Sequence, residues 1–236
     1  MKIETFVLHV KSAINRHQHM EQQLSDKNLN YQYILDGDKE SISETTLNNY
    51  FGGELNKLSN VTSCAYKHIL AYEKMVANSI QYALIFEDDI FLKSHFTETL
   101  KKVLSEIERE NLSNFLISLE DSDLRFVKRS EIKPNKLLYK KETGRLAGAY
   151  IVDIKFAEKA LAEIAQNKCN MPIDWFHDML QKKELVQIFW LSKAVATQGS
   201  LNGKIKSIIG NKHKKIHRII TYNIQRLYKI CLYNFR

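Results

Sequence analysis

Three adjacent carboxylates, Glu87, Asp88 and Asp89, follow an apolar segment, YALIF, at residues 82–86. The apolar run predicts a buried strand, and open α/β sheets bind ligands beyond the carboxyl ends of their strands. In an extended segment the side chains of Glu87 and Asp89 point to one side and that of Asp88 to the other. Left bare, the three charges would repel one another, whereas a hard divalent cation takes such oxygen ligands and can bridge to a diphosphate. The alternative is a solvated acidic turn that caps the next helix.

Strand-like and helix-like segments alternate around this motif, which predicts an α/β fold with a largely parallel sheet. The predicted strands are 3–10, 31–38, 82–86, 114–120, 136–141, 147–153 and 185–191. The predicted helices are 15–27, 63–80, 94–110, 155–167 and one that begins at Pro172. Residues 41–60 are polar and poorly periodic, and we expect a long loop there with one short helix.

Composition indicates an ordinary globular protein. The chain has 236 residues, of which 44% are hydrophobic and 26% charged. It contains no apolar run of about 18 residues, and its apolar N-terminal stretch is too short for a signal peptide. The three cysteines, Cys64, Cys169 and Cys231, are widely separated without metal-type spacing. These features predict a cytoplasmic location.

The net charge of +8 is concentrated in the C-terminal segment, residues 204–236, which we call the tail. Residues 201–236 carry nine basic and no acidic residues, so the remainder of the chain, with 26 basic and 27 acidic residues, has a net charge of −1. A nearly neutral body argues against nucleic acid as the partner. The sequence of the tail predicts a basic amphipathic helix that binds to the anionic surface of the inner membrane. Its apolar stripe is Ile216, Ile219, Ile220, Ile224, Leu227 and Cys231. Packing on the body, or a dimer contact, is the alternative.

Several blocks together resemble glycosyltransferase family 25, the bacterial lipooligosaccharide galactosyltransferases related to the collagen galactosyltransferases. The matching blocks, in chain order, are FVLHVKSAINR, YILDGD, CAYKHILAYEK, LIFEDDIF, LAGAYIVDIKFAEKAL, MPIDWF and ATQGSL. Together they cover roughly residues 3–203. The sequence departs from the family pattern at Lys67, where the family has serine, and at SNVTS, where it has a glycine-glutamate segment.

The resemblance implies a GT-A-like, Rossmann-type domain at residues 1–203 that binds a UDP-sugar donor with Mn²⁺ or Mg²⁺. Glu87 and Asp89 are the metal candidates. The residues assigned to the nucleotide sugar are Ser12, Arg16, Asp36, His68, Asp88, Gln198 and Ser200. A helix cap and a solvated helix charge are the alternatives for Ser12 and Arg16. A buried structural role is the alternative for His68, and Cys64 is interpreted as a small core residue.

The resemblance also implies an inverting displacement, which needs a base for the acceptor hydroxyl. Asp174 matches the family's proline-x-aspartate block, with Asp178 and Asp153 as rivals. The alternative for Asp174 is an aspartate favoured by the helix dipole. Trp175 and Phe176 beside it either stack on an acceptor sugar or belong to the core.

The function expected from this resemblance is transfer of a hexose, galactose from UDP-galactose, to a lipooligosaccharide core sugar with a β-linked product. The enzyme would lie on the cytoplasmic face of the inner membrane. Two alternatives remain: a metal-dependent nucleotidyltransferase and a non-enzymatic membrane-surface binding module. The nucleotidyltransferase would need further clustered carboxylates and a glycine-rich phosphate loop, which the sequence does not show.

Overall fold

The computed structural model describes residues 2–121, 125–202, 205, 221, 223–225, 227–228 and 231–232. The strands are β1 (Glu4–Leu8), β2 (Gln32–Ile34), β3 (Tyr82–Glu87), β4 (Ile90–Leu92), β5 (Phe115–Ser118), β6 (Leu138–Lys141), β7 (Ala149–Asp153), β8 (Gln187–Leu191) and β9 (Ala196–Gln198). The helices are α1 (Ile14–Asp26), α2 (Glu44–Tyr50), α3 (Asn60–Ala77), α4 (Phe96–Arg109), α5 (Ile154–Asn167), α6 (Ile173–Lys182) and α7 (Gly199–Asn202).

Seven strands form one sheet in the order β2-β1-β3-β7-β5-β8-β6. β1 is parallel to β2 and β3, and β5 is parallel to β8. β7 runs antiparallel to both β3 and β5, and β6 runs antiparallel to β8. Five of the seven strands therefore share one direction, which confirms the predicted α/β fold with a mostly parallel sheet.

Helices cover both faces of this sheet. Successive strand residues point to opposite sides, and because they are apolar, both faces must be covered. Ala83 and Ile85 of β3 pack in one core cluster with the apolar faces of α3, α5 and α6. Leu84 and Phe86 pack in the other with α1 and α4. The result is a three-layer arrangement in which β3, the strand that leads into the acidic motif, is buried from both sides.

Local capping explains where several helices begin. α3 begins at Asn60, three residues before the predicted start, because the Ser59 hydroxyl accepts a hydrogen bond from the Thr62 backbone N–H at 3.0 Å. The SNVTS segment is thus the helix start rather than a loop. α6 begins directly after Pro172, as predicted. The segment 41–60 holds one short α-helix, α2, as expected, together with a 3₁₀ turn at Gly53–Leu55.

Two features of the topology differ from what consecutive segments suggest. β6 and β7 follow each other along the chain but are not neighbours, since β7 is inserted between β3 and β5. β4 and β9 form a separate two-stranded antiparallel sheet, which the sequence did not reveal. This small sheet brings the segment at Gln198–Ser200 next to the acidic motif.

The predicted tail lies largely outside the described residues, and so do Ile216, Ile219 and Ile220 of its apolar stripe. Among the tail residues that the structure describes, Ile224, Leu227 and Tyr228 are exposed. The boundary at residues 203/204 stays a prediction. Over the described part of the chain, no helix combines the length and the apolar character needed to cross a membrane.

Asp153 has a structural position at the end of β7. Its carboxylate caps α5 by accepting from the Phe156 N–H at 3.1 Å, and it accepts from the Asn114 and Phe115 N–H groups at 2.6 and 3.0 Å. Three backbone donors from two elements therefore converge on one side chain. These contacts set Asp153 apart from the cavity described below, although the sequence suggested it as a rival base.

We predict that Asp153→Ala lowers the free energy of unfolding by about 2 kcal/mol or more, because a helix cap is lost and buried N–H groups lose their acceptor. Asp153→Asn keeps one acceptor oxygen and should cost less. Urea denaturation of both variants measures the difference. Wild-type stability of Asp153→Ala would contradict the capping role.

Candidate functional site

The acidic motif lies where β3 leaves the sheet and turns into β4. The backbone N–H of Glu87 donates to the Gly148 carbonyl at 2.8 Å, so the strand stays paired up to its last residue. A Cβ at Gly148 would stand 2.4 Å from Gln198 Nε2 and 2.9 Å from the Ile90 side chain. Glycine at this position therefore lets the Gln198 side chain approach the motif, where its Nε2 donates to Glu87 Oε2 at 3.3 Å.

Asp88 is almost fully buried, and the guanidinium of Arg16, with which it pairs, also lies 3.9 Å from Asp89 Oδ2. It accepts hydrogen bonds from His9 Nδ1 at 2.9 Å and from the Val10 N–H at 3.2 Å, and it pairs with the Arg16 guanidinium. Burial acts to raise the pKa of Asp88, but the His9 hydrogen bond and the Arg16 charge outweigh it, so the pKa lies below its ordinary value. Asp88 is therefore an ionised anchor between β1, α1 and the motif.

Asp89 is equally buried but less well satisfied. Its Oδ2 accepts from the Ser200 N–H at 3.2 Å, while its Oδ1 is buried with no hydrogen-bond partner. Burial, and next the charge of Glu87, raise the pKa of Asp89 to about 6. A nearby cation would stabilise the ionised form of this carboxyl group and lower its pKa.

Glu87 extends one carboxylate oxygen to each side. Oε1 accepts from the Cys64 thiol at 3.4 Å and lies 3.5 Å from His68 Nε2, whereas Oε2 faces Gln198. Both Cys64 and His68 come from α3, one helical turn apart. Glu87 thus stands between α3 and the segment that follows β9.

A cavity of 410 Å³ opens above the motif and brings together most of the predicted site residues. Those that line it are Ser12, Arg16, Glu87, Asp88, Asp89, Asp174, Gln198 and Ser200. The segments that contribute them are far apart in sequence, from the start of α1 to the start of α7. Their convergence at the carboxyl end of β3 is the placement expected for a ligand site in an α/β sheet.

Asp36 and His68 are the two predicted site residues that do not line this cavity. The Asp36 side chain is 88% exposed with its Oδ1 3.7 Å from Lys11 Nζ, and its backbone carbonyl accepts a hydrogen bond from Lys67 Nζ at 2.9 Å. The carboxylate that the structure brings to Lys67 is Asp38, at 2.8 Å. His68 is fully buried behind Glu87 and Cys64.

Asp174 lies in the first turn of α6 on the cavity wall. Burial is the main cause that raises the pKa of its carboxyl group. Its rival Asp178 is instead held by the Gly144 N–H at 2.6 Å and is not part of the cavity lining. Trp175 is 63% exposed next to Asp174, while Phe176 is core.

Sequence reasoning missed three buried polar residues at this site: His9, Lys67 and Glu120. Glu120 follows β5, accepts from the Gly148 N–H at 2.7 Å, and leaves its Oε2 without a partner. Burial, and then the Glu87 charge, raise the pKa of Glu120 well above its usual range. The one signal available was its position at the end of a predicted strand, the same position that the acidic motif has after β3.

A family model described as glycosyltransferase family 25 (LPS biosynthesis protein) matches residues 2–177, three quarters of the chain. The chain belongs to glycosyltransferase family 25. The matched span of this family 25 chain includes β1, α3, the acidic motif and Asp174, and it ends before Gln198 and Ser200.

Two curated relatives share part of the sequence. The human "Inactive glycosyltransferase 25 family member 3" is 30% identical over 87 residues, which are 37% of this chain and 13% of that protein. The "Putative glycosyltransferase R655" of Acanthamoeba polyphaga mimivirus is 30% identical over 112 residues, 45% of this chain and 34% of that protein. The family 25 chain therefore spans only a minor part of these relatives.

Among solved structures, a glycosyltransferase involved in the glycosylation of the major capsid of PBCV-1 has a TM-score of 0.48 and 8% identity. The comparison covers 93% of this chain and 99% of that one. Membership of family 25 rests on the family model and not on this likeness.

The residues present fit a divalent cation of the hard class at Glu87 and Asp89. Both carboxylates line the cavity, and Asp89 Oδ1 is a buried acceptor without a partner. Burial and then the Glu87 charge raise the pKa of Asp89 even though the Arg16 guanidinium lies 3.9 Å from its Oδ2. Mg²⁺ and Mn²⁺ prefer such oxygen ligands. These two residues would hold the ion on the cavity floor.

The anchoring role of Asp88 predicts strong energetic coupling with Arg16. In a double-mutant cycle with Arg16→Gln and Asp88→Asn, we expect a coupling free energy of about 2 kcal/mol, because the pair is shielded from water. The exposed pair Glu98 and Lys102 on α4, with N and O atoms 2.6 Å apart, is the control and should show far weaker coupling. Urea unfolding measures both cycles, and equal coupling in the two pairs would contradict the anchor.

Proposed function

We propose that this chain is a metal-dependent glycosyltransferase that transfers galactose from UDP-galactose to a core sugar of lipooligosaccharide, with inversion to a β-linked product. The observation that carries the proposal is one cavity that joins a carboxylate pair, Glu87 and Asp89, to a separate carboxyl group, Asp174, on another element. The first suits a cation and a diphosphate, and the second suits proton transfer. Family 25 membership supports the glycosyltransferase class.

The donor side of the cavity is formed by the acidic motif, α1 and the segment after β9. A cation held by Glu87 and Asp89 would supply a Lewis acid that offsets the charge on the departing diphosphate. Arg16 lines the same wall and adds a fixed positive charge, while Gln198 and the Ser200 N–H lie against the two carboxylates. Ser12 is exposed at the rim, where a nucleotide would enter.

The acceptor side is Asp174 at the start of α6. In the proposed step an acceptor hydroxyl oxygen forms a bond to the anomeric carbon, the bond from that carbon to the UDP oxygen breaks, and Asp174 takes the hydroxyl proton. The pKa of Asp174, raised mainly by burial, makes this carboxylate a stronger base than an exposed aspartate. A single displacement of this kind inverts the anomeric centre.

The acceptor assignment has two supports. The family description names lipopolysaccharide biosynthesis. Trp175 follows Asp174 in sequence, and its exposed indole offers a flat apolar face that suits stacking on a sugar ring. Phe176 is fully buried and belongs to the core.

We further propose that the enzyme works on the cytoplasmic surface of the inner membrane, held there by its tail. The support is the charge distribution, with all the excess positive charge in residues 201–236, together with exposed Ile224, Leu227 and Tyr228. Each basic residue near an anionic surface contributes about 1 kcal/mol of attraction. A lipid-linked acceptor lies at the same surface.

The donor assignment predicts that Mn²⁺ or Mg²⁺ and UDP-galactose stabilise the protein together. In a thermal-shift screen of UDP-sugars, we expect UDP-galactose to raise Tm most, and only with the cation present. Asp89→Asn should lose this shift and most transfer activity, because an oxygen charge on the cation is removed. The matched control is Asp26→Asn, an exposed aspartate at the end of α1. Full turnover of Asp89→Asn, or of wild type in excess chelator, would refute metal dependence.

The base assignment predicts that Asp174→Asn lowers kcat by about 100-fold or more and leaves the KM for UDP-galactose nearly unchanged, since the base acts only in the transition state. Asp178→Asn, one turn further along α6, is the control and should keep its turnover. Steady-state kinetics with a soluble acceptor separates the two parameters. If donor affinity falls while kcat holds, Asp174 is a binding residue and not the base.

The tail assignment predicts that truncation after Gly203 leaves transfer to a small soluble acceptor nearly intact but removes binding to anionic vesicles. Sedimentation with vesicles measures the binding, which should weaken as salt rises because surface attraction is screened beyond about 8 Å at physiological ionic strength. Neutral vesicles are the control. Unchanged vesicle binding after truncation, or a truncated protein that does not fold, would show that the tail is not a surface anchor.

A further inference from the structure

Three potential metal ligands of different chemistry meet at the cavity wall: the Cys64 thiol, the His68 imidazole and the Glu87 carboxylate. One ligand atom from each lies within 4.8 Å of the others. Cys64 and His68 are four residues apart on α3 and therefore share one helix face, and Glu87 reaches them from the end of β3. This set is distinct from the oxygen pair of Glu87 and Asp89, because it contains sulfur and nitrogen.

The two separations from Glu87 Oε1 match those in a tetrahedral centre. With bonds of about 2.3 Å to sulfur and about 2.0–2.1 Å to nitrogen or oxygen, zinc holds a sulfur and an oxygen about 3.6 Å apart, and a nitrogen and an oxygen about 3.4 Å apart. The measured separations from Glu87 Oε1 are 3.4 Å to Cys64 Sγ and 3.5 Å to His68 Nε2. These two separations agree within a few tenths of an ångström, and the third, from Cys64 Sγ to His68 Nε2, is at most 4.8 Å.

The environment of His68 supplies the second observation. Its side chain is fully buried, yet Nε2 makes no hydrogen bond and is directed at the cluster. Nδ1 lies 2.6 Å from the Tyr150 hydroxyl. If Nδ1 carries the proton and donates it to Tyr150, Nε2 presents its lone pair, which is the usual arrangement of a metal-bound histidine with an oxygen partner on its other nitrogen. Bound metal would select this tautomer.

We propose that Cys64, His68 and Glu87 form a binding site for a borderline-soft divalent cation of the Zn²⁺ class. Cys64 and Glu87 line the cavity, so the fourth coordination position opens toward it, as in zinc centres that keep one position for water or a substrate oxygen. Binding displaces the thiol proton, and the thiolate selects zinc or cobalt over magnesium and manganese. Because Glu87 offers Oε1 to this set and Oε2 to the other side, one carboxylate serves both sets.

The test uses the full chain without any nucleotide sugar, so it does not depend on transferase activity. Co²⁺ alone should produce the near-ultraviolet charge-transfer band of a cobalt–thiolate bond at one equivalent, and one equivalent of Zn²⁺ should remove it. Cys64→Ser should abolish the band, and His68→Gln should weaken cobalt binding at least tenfold. The control, Cys231→Ser, changes an exposed cysteine and should keep the band. Survival of the band in Cys64→Ser, or no band in wild type, overturns the proposal.

A second measurement decides the matter even if the Cys64 variant does not fold. Zinc-edge X-ray absorption of Zn²⁺-loaded Cys231→Ser protein should show one sulfur ligand near 2.3 Å, the usual zinc–sulfur distance. A first shell of nitrogen and oxygen alone would overturn the site.

Discussion

The buried carboxylate of Asp88 is the constraint on which the site depends. It joins β1 through His9 and the Val10 N–H, α1 through Arg16, and the end of β3 through its own backbone. Removing an ionised carboxylate from water costs several kcal/mol, so the residue is tolerated only while these partners are in place. Because these partners fix Asp88, they also fix the backbone that carries Glu87 and Asp89 at the cavity that all three residues line.

The acidic motif and Glu120 place several carboxyl groups in a buried region, where ionised groups are destabilised by the loss of water. Asp89 has a pKa raised by burial and by Glu87, and the pKa of Glu120 beneath them is raised for the same two reasons. A fold selected only for stability would not place three acidic groups in one water-poor region with buried oxygens left unpaired. The cost is explained if a cation completes the site. Gly199 allows the segment after β9 to approach the acidic motif closely. Its N–H donates to the Asp89 carbonyl at 2.7 Å, and a Cβ at this position would lie 2.9 Å from that oxygen.

Local patterns predicted most elements because apolar periodicity and helix starts are encoded within a few residues. YALIF became β3, and Pro172 precedes α6. The neighbours of β7 were not predictable in this way, since its insertion between β3 and β5 depends on distant segments. Likewise, β4 and β9 are three residues each and are stabilised by pairing across about a hundred residues of sequence.

The site residues likewise divide into those with a local sequence signal and those whose role depends on distant contacts. Glu87 and Asp89 were found because their types and spacing lie in one segment, and the family resemblance added Ser12, Arg16, Asp174, Gln198 and Ser200. His9 had no local signal, since its role exists only through contact with Asp88, 79 residues away. Cys64 and His68 were interpreted separately as core and donor-site residues because their common partner, Glu87, lies on a different element. Asp36 had a local signal, its aspartate-glycine turn, but its side chain projects into solvent and does not line the cavity.

The proposed donor site requires that Glu87 and Asp89 hold a cation together with the diphosphate of the donor. A crystal structure of the full chain grown with Mn²⁺ and UDP, with anomalous scattering used to locate manganese, tests it most directly. We expect a manganese peak within bonding distance, about 2.2 Å, of oxygens from both carboxylates and from the diphosphate. UDP bound in the cavity with no manganese at Glu87 and Asp89 would contradict it.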